Sequence, residues 1–240
     1  MVNDSHLLNY FHQIYIINLP YRKDRLDEIS EQLRHIGLSL KSPNIHLFSA
    51  IRPQQADEFP TVGTKGCFLS HLAVLKHALL SGHDRIVIIE DDLNFVEDFD
   101  KKLNHTINSL KNIDWSIFYG GYNLITPLTT EDNPIVEITP STDLMGGHFV
   151  AFQKQTIWDL INYLELILTR KGGDPAGGPM HVDAAYACFR DAGYRTFIAN
   201  PILGYQRASR TDISLTSWFD QVPIMRLGVA LTRKLRNKLL

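Results

Sequence analysis

Several features that assign proteins to specialised classes are scarce or absent in this sequence of 240 residues. The two cysteines, Cys67 and Cys188, form neither a CxxC pair nor the framework of a small disulfide-stabilised domain. No apolar run is long enough to cross a bilayer, and the first residues lack the basic-then-apolar order of a secretory signal. We therefore expect reduced thiols and a cytoplasmic protein.

A basic body, which a nucleic-acid-binding protein needs, is also missing. The net charge is -2, but residues 222–240 contain five basic residues and no acidic one. The rest of the chain therefore has 19 basic and 26 acidic residues, a net charge of -7. This distribution argues against DNA or RNA as a partner.

The length suits one substantial core and a short tail. We predict one domain over residues 1–221 and a basic, amphipathic C-terminal tail over 222–240. In the tail, leucines recur every four residues among basic residues: Leu227, Leu231, Leu235 and Leu239 with Arg226, Arg233, Lys234, Arg236 and Lys238. This pattern predicts peripheral contact with an anionic membrane surface. The alternative is a last helix that packs on the domain.

Strand-like and helix-like patterns alternate along the domain. Apolar, β-rich runs at 14–17, 45–48 and 85–89 are separated by helical spacing of apolar residues over 26–36 and 68–79. This order predicts an α/β fold with a mostly parallel central sheet flanked by helices. We also predict helices near 97–110, 155–168 and 182–192, strands near 116–119, 149–152 and 196–199, and a mobile, glycine-rich loop over 170–179.

Three adjacent carboxylates follow the third predicted strand. The strand leads directly into Glu90, Asp91 and Asp92, at the edge of the sheet where open α/β folds bind ligands. Adjacent carboxylates repel one another, and a hard cation such as Mg²⁺ or Mn²⁺, itself bridging a diphosphate, relieves that repulsion. The alternative is a solvated acidic turn.

The first strand–helix junction brings polar and basic groups to the same edge. Asn18 has the right chemistry to bind a nucleobase or ribose, and Arg22 or Arg25 to bind phosphate. The alternative is an exposed first helical turn in which Arg25 pairs with a neighbouring acid.

The second junction combines glycine with a helix start. We predict that a helix begins after Gly66 and presents free N–H groups to a diphosphate, with Ser70 and His71 in its first turns. For His71 the alternative is a hydrogen-bonded histidine in the core.

These segments together resemble glycosyltransferase family 25, the bacterial lipopolysaccharide and lipooligosaccharide galactosyltransferase-like family. The resemblance rests on the order of three motifs: Ile17-Asn18-Leu19 with Arg25, Gly66-Cys67 with Ser70-His71, and Ile89-Glu90-Asp91-Asp92. It implies a GT-A type nucleotide-sugar-binding fold, a UDP-sugar donor, an inverting reaction and Mn²⁺ or Mg²⁺ at Asp91 and Asp92. The chain departs from the family pattern at Lys65, and no histidine follows His181 as a late metal ligand.

An inverting transfer needs a carboxylate that deprotonates the acceptor hydroxyl. We assign this role to Asp183, at the predicted helix start that follows the glycine-rich loop. Asp174 and Asp143 are the alternative bases, and Asp183 itself is otherwise an ordinary acid at a helix N-terminus.

Two later segments complete the predicted donor site. Gly147 has little bulk and would let the donor sugar lie against backbone, unless it only forms a tight bend. The segment from Tyr205 to Ile213 resembles the late part of the family, so we expect Gln206, with Arg207 and Arg210, to close over the diphosphate.

The resulting hypothesis is a metal-dependent transferase that moves galactose from UDP-galactose onto a cell-surface glycan or glycolipid, such as lipooligosaccharide, at the cytoplasmic face of the inner membrane. The alternatives are a UDP-glucose or UDP-N-acetylhexosamine donor, or a catalytically silent relative that binds glycans or nucleotides. A nucleotidyltransferase would need a glycine- and basic-rich first turn, where this chain has Pro20-Tyr21.

Overall fold

The structure is a computed structural model that describes residues 6–124, 133–140 and 142–207. The helices in these ranges are α1 (His6–Tyr10), α2 (Lys23–His35), α3 (Val62–Leu80), α4 (Phe99–Leu110), α5 (Lys154–Leu168) and α6 (Val182–Arg190). The strands are β1 (Gln13–Asn18), β2 (Ile45–Ser49), β3 (Arg85–Glu90), β4 (Leu93–Phe95), β5 (Ile117–Leu124), β6 (Ile135–Ile138), β7 (Leu144–Gln153), β8 (Thr196–Ala199) and β9 (Gly204–Gln206).

Seven of these strands form one mixed sheet in the order β2-β1-β3-β7-β5-β8-β6. Strands β2, β1, β3, β5 and β8 run in one direction, and β7 and β6 run against them. The predicted α/β fold with a mostly parallel, helix-flanked sheet is therefore confirmed. Strands β4 and β9 pair separately as a two-stranded antiparallel ribbon.

The sheet separates two hydrophobic cores. Because side chains alternate along a strand, Tyr15 and Ile17 of β1 pack with α3, α5 and α6, whereas Ile14 and Ile16 pack with α1, α2 and α4. Central strands buried on both faces explain the unbroken apolar runs that the sequence shows. Each fully buried isoleucine contributes roughly 1.5–3 kcal/mol relative to an exposed one, so the central strands hold the edge residues in fixed positions.

Most predicted elements occur in the structure within a few residues of their predicted bounds. The predicted start of α3 after Gly66 is wrong, because the helix begins at Val62. Thr61 caps it by accepting a hydrogen bond from the Thr64 amide at 3.0 Å. The short elements α1, β4, β6 and β9 escaped prediction, since three to five residues are too few to show a period.

The glycine-rich segment at 170–179 contains no helix or strand, as predicted. Its backbone contacts the segment between β2 and α3, where the Gly172 amide donates a hydrogen bond to Glu58 Oε2 at 2.8 Å. Among the described residues, no helix has both the length and the apolar character that a membrane span requires. The predicted tail at 222–240 and Arg210 lie outside the described residues.

Candidate active site

Strands β1 and β3 deliver their last residues to one edge of the sheet. They are parallel neighbours in register, with Ile17 opposite Glu90. Asn18 and the acidic cluster therefore leave the sheet at the same carboxyl edge, as the sequence predicts. The ribbon of β4 and β9 places Gln206 opposite Leu93 and so beside the end of this cluster.

Asp91 is bound by residues of the first strand–helix junction. Its Oδ2 accepts a hydrogen bond from Asn18 Nδ2 at 2.8 Å, and its Oδ1 accepts one from Arg25 Nη1 at 2.8 Å. Burial raises the pKa of the Asp91 carboxyl, against the lowering effects of Arg25 and Asn18. Both Asp91 oxygens are thus engaged within the protein, and Asn18 contacts a carboxylate where we predicted a nucleobase or ribose.

Asp92 is compensated less completely than Asp91. Arg25 Nη1 lies 3.3 Å from its Oδ2, and Gln206 Nε2 donates to the same oxygen at 3.3 Å. Asp92 Oδ1 is buried and has no hydrogen-bond partner among the described residues. Burial and the charge of Glu90 raise the pKa of Asp92 to about 7. A buried carboxylate oxygen without a partner fits a divalent cation.

Glu90 forms the start of a polar chain that runs away from Asp92. Its Oε1 lies 3.5 Å from His71 Nε2, and His71 Nδ1 shares a hydrogen bond of 2.9 Å with the Tyr186 hydroxyl. Burial acts to raise the pKa of Glu90, but the polar contact with His71 and the electrostatic effects of His71, His148 and Arg25 together outweigh burial, so the pKa is lowered. His71 is therefore a buried histidine, as the alternative reading proposed, and also a neighbour of the acidic cluster.

Gly147 lies beside this chain, where the sequence predicts room for a donor sugar. A Cβ at this position would be 3.8 Å from Glu90 Oε1 and 3.8 Å from His71 Cε1. An added Cβ would therefore make ordinary van der Waals contacts, and the glycine brings its backbone close to Glu90 and His71.

Gly66 and Ser70 shape the wall of the site. Gly66 lies inside α3, where a Cβ would come within 2.7 Å of the Ile51 carbonyl oxygen. The Ser70 hydroxyl donates to the Gly66 carbonyl at 2.6 Å and accepts from the Ile51 amide at 2.8 Å. These residues pack α3 against the chain after β2, so the diphosphate contact predicted at a Gly66 helix start does not apply.

Arg22 and Arg25 point in different directions. Arg22 Nη2 pairs with Asp24 Oδ2 at 2.8 Å, and this hydrogen-bonded pair lowers the pKa of Asp24 to about 2. Arg25 turns inward to Asp91 and Asp92. Of the two arginines predicted at this junction, Arg25 reaches the acidic cluster.

A cavity of about 220 Å³ opens above these residues. Its lining includes Tyr21, Arg25, Arg52, Cys67, His71 and Glu90. The guanidinium of Arg52 lies over the ring of Tyr21, 4.9 Å from the ring centroid. Sequence reasoning missed Arg52, although its place three residues after β2 puts it at the same carboxyl edge.

The predicted base Asp183 lies in the first turn of α6, the helix whose Tyr186 contacts His71. Its Oδ2 accepts a hydrogen bond from the Gly146 amide at 3.4 Å. Burial raises the pKa of the Cys67 thiol, which lines the cavity, and the charges of Glu90 and then Asp183 add to that shift. The alternative base Asp174 instead accepts from the Ala176 amide at 2.8 Å within the glycine-rich loop, and Asp143 is exposed.

Arg207 and His148 are buried next to the residues of the site. Arg207 Nη2 donates to the Asp91 carbonyl at 3.0 Å, and its Nη1 donates to Asn94 Oδ1 at 2.7 Å. Arg207 therefore secures the acidic turn, and its contact with a diphosphate stays a prediction. His148, which sequence reasoning missed, is buried beside Gly121 and Gly146; burial lowers its pKa, against the charge of Glu90.

The sequence matches glycosyltransferase family 25 (LPS biosynthesis protein) over residues 11–139, more than half of the chain. The chain belongs to glycosyltransferase family 25. The matched range includes Asn18, Arg25 and the segments 66–71 and 90–92. Gly147, Asp183 and Gln206 lie after it.

Characterised relatives are similar over part of their length. Over 129 residues the family 25 chain is 30% identical to procollagen galactosyltransferase 2 of Homo sapiens, which covers 46% of this chain and 21% of that protein. Over 179 residues it is 27% identical to inactive glycosyltransferase 25 family member 3 of Mus musculus, which covers 67% of this chain and 28% of that protein. The chain thus spans less than a third of the length of these relatives.

Among solved structures, the chain is similar to a glycosyltransferase involved in the glycosylation of the major capsid of PBCV-1. The two share 11% sequence identity and a TM-score of 0.49, over 83% of this chain and 94% of that chain.

Proposed function

We propose that this family 25 chain is a metal-dependent, inverting glycosyltransferase of the GT-A type that moves galactose from UDP-galactose onto a cell-surface glycan. The observation that carries the proposal is the acidic edge, where Asp92 keeps a buried oxygen without a hydrogen-bond partner beside the cavity wall formed by Glu90. The printed name of a similar protein, procollagen galactosyltransferase 2, supports galactose as the sugar.

The cavity suits the parts of a nucleotide sugar. Tyr21 is 49% exposed and offers a ring face on which a uracil base can stack. The exposed guanidinium of Arg52 lies close to this ring and is well shaped to bind a diphosphate. The sugar then lies against the backbone of Gly147, close to Glu90 and His71.

Asp92 Oδ1 and the Glu90 carboxylate are the groups that would hold Mn²⁺ or Mg²⁺. Asp91 contributes indirectly, because its oxygens position Arg25 and Asn18. The bound ion supplies positive charge that stabilises the UDP leaving group. Gln206 orients Asp92 through the hydrogen bond to Oδ2.

Asp183 acts as the general base in this proposal. Its carboxylate accepts the proton of the acceptor hydroxyl while that oxygen attacks the anomeric carbon, and the bond to UDP breaks on the opposite face. The Gly146 amide and the start of α6 hold the carboxylate in place.

We expect Asp183→Asn to reduce sugar transfer by about 10²-fold or more and to leave UDP-sugar binding nearly unchanged, because a general base acts mainly in the transition state. Product formation and donor titration measure the two quantities. Asp174→Asn is the matched control, since Asp174 is held inside the glycine-rich loop. Normal transfer by Asp183→Asn would contradict the assignment.

A silent relative that only binds nucleotides or glycans is the second candidate, favoured by the similarity to an inactive family member. UDP-glucose and UDP-N-acetylhexosamines are the alternative donors. Measurement of UDP release from each donor, with Mn²⁺ and with a chelator, separates these possibilities. Release from UDP-galactose that requires metal supports the proposal, and binding without release from any donor supports the silent relative.

We also propose that the tail at 222–240 holds the enzyme on the cytoplasmic face of the inner membrane, within reach of a lipid-linked acceptor such as lipooligosaccharide. Each basic residue near an anionic surface contributes about 1 kcal/mol to binding. The full chain should therefore sediment with anionic liposomes at low salt, and a chain that ends at residue 221 should not. Equal sedimentation of both forms would contradict this proposal.

A further inference from the structure

The cavity wall carries a second set of ligand groups, which shares Glu90 with the proposed Mn²⁺ or Mg²⁺ site but adds a thiol and an imidazole to it. Cys67 and His71 lie four residues apart on α3 and so share one face of the helix. Glu90 approaches them from the end of β3. The Cys67 sulfur, a His71 ring nitrogen and a Glu90 carboxylate oxygen all lie within 4.8 Å of one another. We propose that these three residues bind Zn²⁺ or a similar thiophilic divalent cation.

The geometry is close to what such a site requires. In a tetrahedral zinc site with bonds of about 2.0–2.1 Å to nitrogen and oxygen, those two ligand atoms are roughly 3.4 Å apart. His71 Nε2 and Glu90 Oε1 are 3.5 Å apart. The thiol sulfur has to approach by about 1 Å to complete a site with zinc–sulfur bonds of about 2.3 Å.

His71 presents a buried nitrogen to this site. The side chain is 0% exposed, and its Nε2 has no hydrogen-bond partner among the described residues. His71 Nδ1 lies 2.9 Å from the Tyr186 hydroxyl. When Nδ1–H donates to the Tyr186 oxygen, the Nε2 lone pair faces Glu90, which is the arrangement that a metal-ligating imidazole takes.

The kind of ligand selects the ion. Thiolate and imidazole suit Zn²⁺, whereas Mg²⁺ and Mn²⁺ prefer oxygen ligands such as those of Asp92. Cys67 is only partly buried and lines the cavity, so an ion can enter from there. Binding displaces the thiol proton of Cys67 to solvent and leaves a fourth position for water. This inference does not depend on transferase activity, because its test measures binding alone.

Titration of the full chain with Co²⁺, a coloured substitute for Zn²⁺, tests the site directly. We expect thiolate-to-cobalt charge-transfer absorption in the wild type and in the matched control Cys188→Ser, since Cys188 is exposed and outside the trio. Cys67→Ser should lose the band, and Tyr186→Phe should weaken binding by about 10–100-fold. Absence of the band in the wild type, or its loss only in Cys188→Ser, would overturn the proposal.

A second experiment uses the wild-type chain alone and measures how strongly Zn²⁺ protects each cysteine from alkylation. The unmodified chain is treated with a small alkylating reagent, and mass spectrometry follows both cysteines. Zn²⁺ at about ten times its dissociation constant leaves roughly a tenth of the sites free, so Cys67 should react about tenfold more slowly. Cys188 should be unaffected, and Mg²⁺ should protect neither residue. Equal protection of both cysteines, or of neither by Zn²⁺, would overturn the proposal.

Discussion

Titratable groups gather at both edges of the parallel part of the sheet. The carboxyl edge holds acids, which are negative when ionised, and the amino edge holds histidines, which are positive when ionised. At the carboxyl edge, Glu90, Asp91 and Asp92 converge on Arg25, and burial raises the pKa of both aspartates. Arg25 contacts Asp91 and Asp92 at 2.8 and 3.3 Å and compensates part of the negative charge. Asp92 Oδ1 remains without a hydrogen-bond partner among the described residues.

The amino edge collects histidines around one tyrosine. The Tyr15 hydroxyl and His77 Nδ1 are 2.9 Å apart, and the rings of His46 and His77 have centroids 4.8 Å apart. Burial and the charge of His77 lower the pKa of His46, and burial with His12 and His77 lowers that of His83. His46 and His83 are therefore held in the neutral form more readily than free imidazoles.

The difference shows which edge is built for a ligand. A cluster that serves only the fold can become neutral, as His46 and His83 do more readily when burial lowers their pKa. The carboxyl edge instead pairs its aspartates with Arg25 and still leaves Asp92 Oδ1 buried without a hydrogen-bond partner among the described residues, an arrangement whose electrostatic cost a bound cation would reduce. Three substitutions can test this contrast.

The largest effect should follow from removal of the cation that compensates the acidic edge. Arg25→Met leaves Asp91 and Asp92 without their ion-pair partner, with side-chain exposures of only 8% and 7%. We expect a loss of about 3–5 kcal/mol in the free energy of unfolding, the usual result when one member of a buried ion pair is removed. Urea unfolding measures it.

Arg22→Met is the matched control. Arg22 pairs with Asp24, whose side chain is 63% exposed, so solvent screens the interaction. Its loss should cost about 0–1 kcal/mol. Similar losses in the two variants would show that Arg25 is an ordinary surface arginine and would remove the distinction between the edges.

The second effect separates function from stability at Asp92. Asp92→Asn removes one charge from a crowded cluster, so we expect an unchanged or higher melting temperature. The same change should reduce metal-dependent transfer by about 10²-fold or more, because it removes a proposed ligand of the ion that stabilises the leaving group. Calorimetry and a UDP-release assay with Mn²⁺ measure the two quantities.

Asp24→Asn serves as the control for this variant, since Asp24 pairs with Arg22 at the surface. It should leave activity intact. Wild-type activity with the same Mn²⁺ dependence in Asp92→Asn would show that the metal assignment is wrong.

The sequence predicts where the carboxyl edge lies better than it predicts the side-chain contacts within that edge. The apolar run before Glu90 identifies β3, and the order of strands and helices places Asn18 and Glu90 at one edge. Short-range reasoning cannot see that Asn18 reaches Asp91, because the partners are 73 positions apart. It likewise could not distinguish Arg22 from Arg25 as the phosphate-binding residue; Arg22 pairs with Asp24, whereas Arg25 pairs with Asp91 and Asp92.

The roles of residues that act through tertiary packing also could not be predicted from the sequence. His148 follows two glycines in a strand pattern and gives no local sign that Gly121 and Gly146 enclose its ring. Gly66 suggests a helix start, yet its small size is needed deep in α3 for packing against Ile51. The true helix start has a recognisable cap, Thr61, which sequence reasoning overlooked.

The smallest effect concerns the amino edge and its response to acid. The pKa of His46 and that of His83 lie below the ordinary value of 6.5, so the unfolded chain binds more protons than the folded chain as the pH falls below that value. Their contribution to stability is therefore complete above pH 6.5 and is lost at lower pH. Asp92 acts in the opposite sense, because its raised pKa of about 7 favours the folded state as the pH falls.

The informative quantity is thus the difference between His46→Gln and the wild type, measured by urea unfolding at about pH 7.5 and about pH 5.5. We expect His46→Gln to lose less stability than the wild type between these conditions, since it removes one depressed pKa and one neighbour of His77. His105→Gln, on the exposed side of α4, should follow the wild type. The same pH response in all three proteins would mean that folding does not lower the pKa of His46.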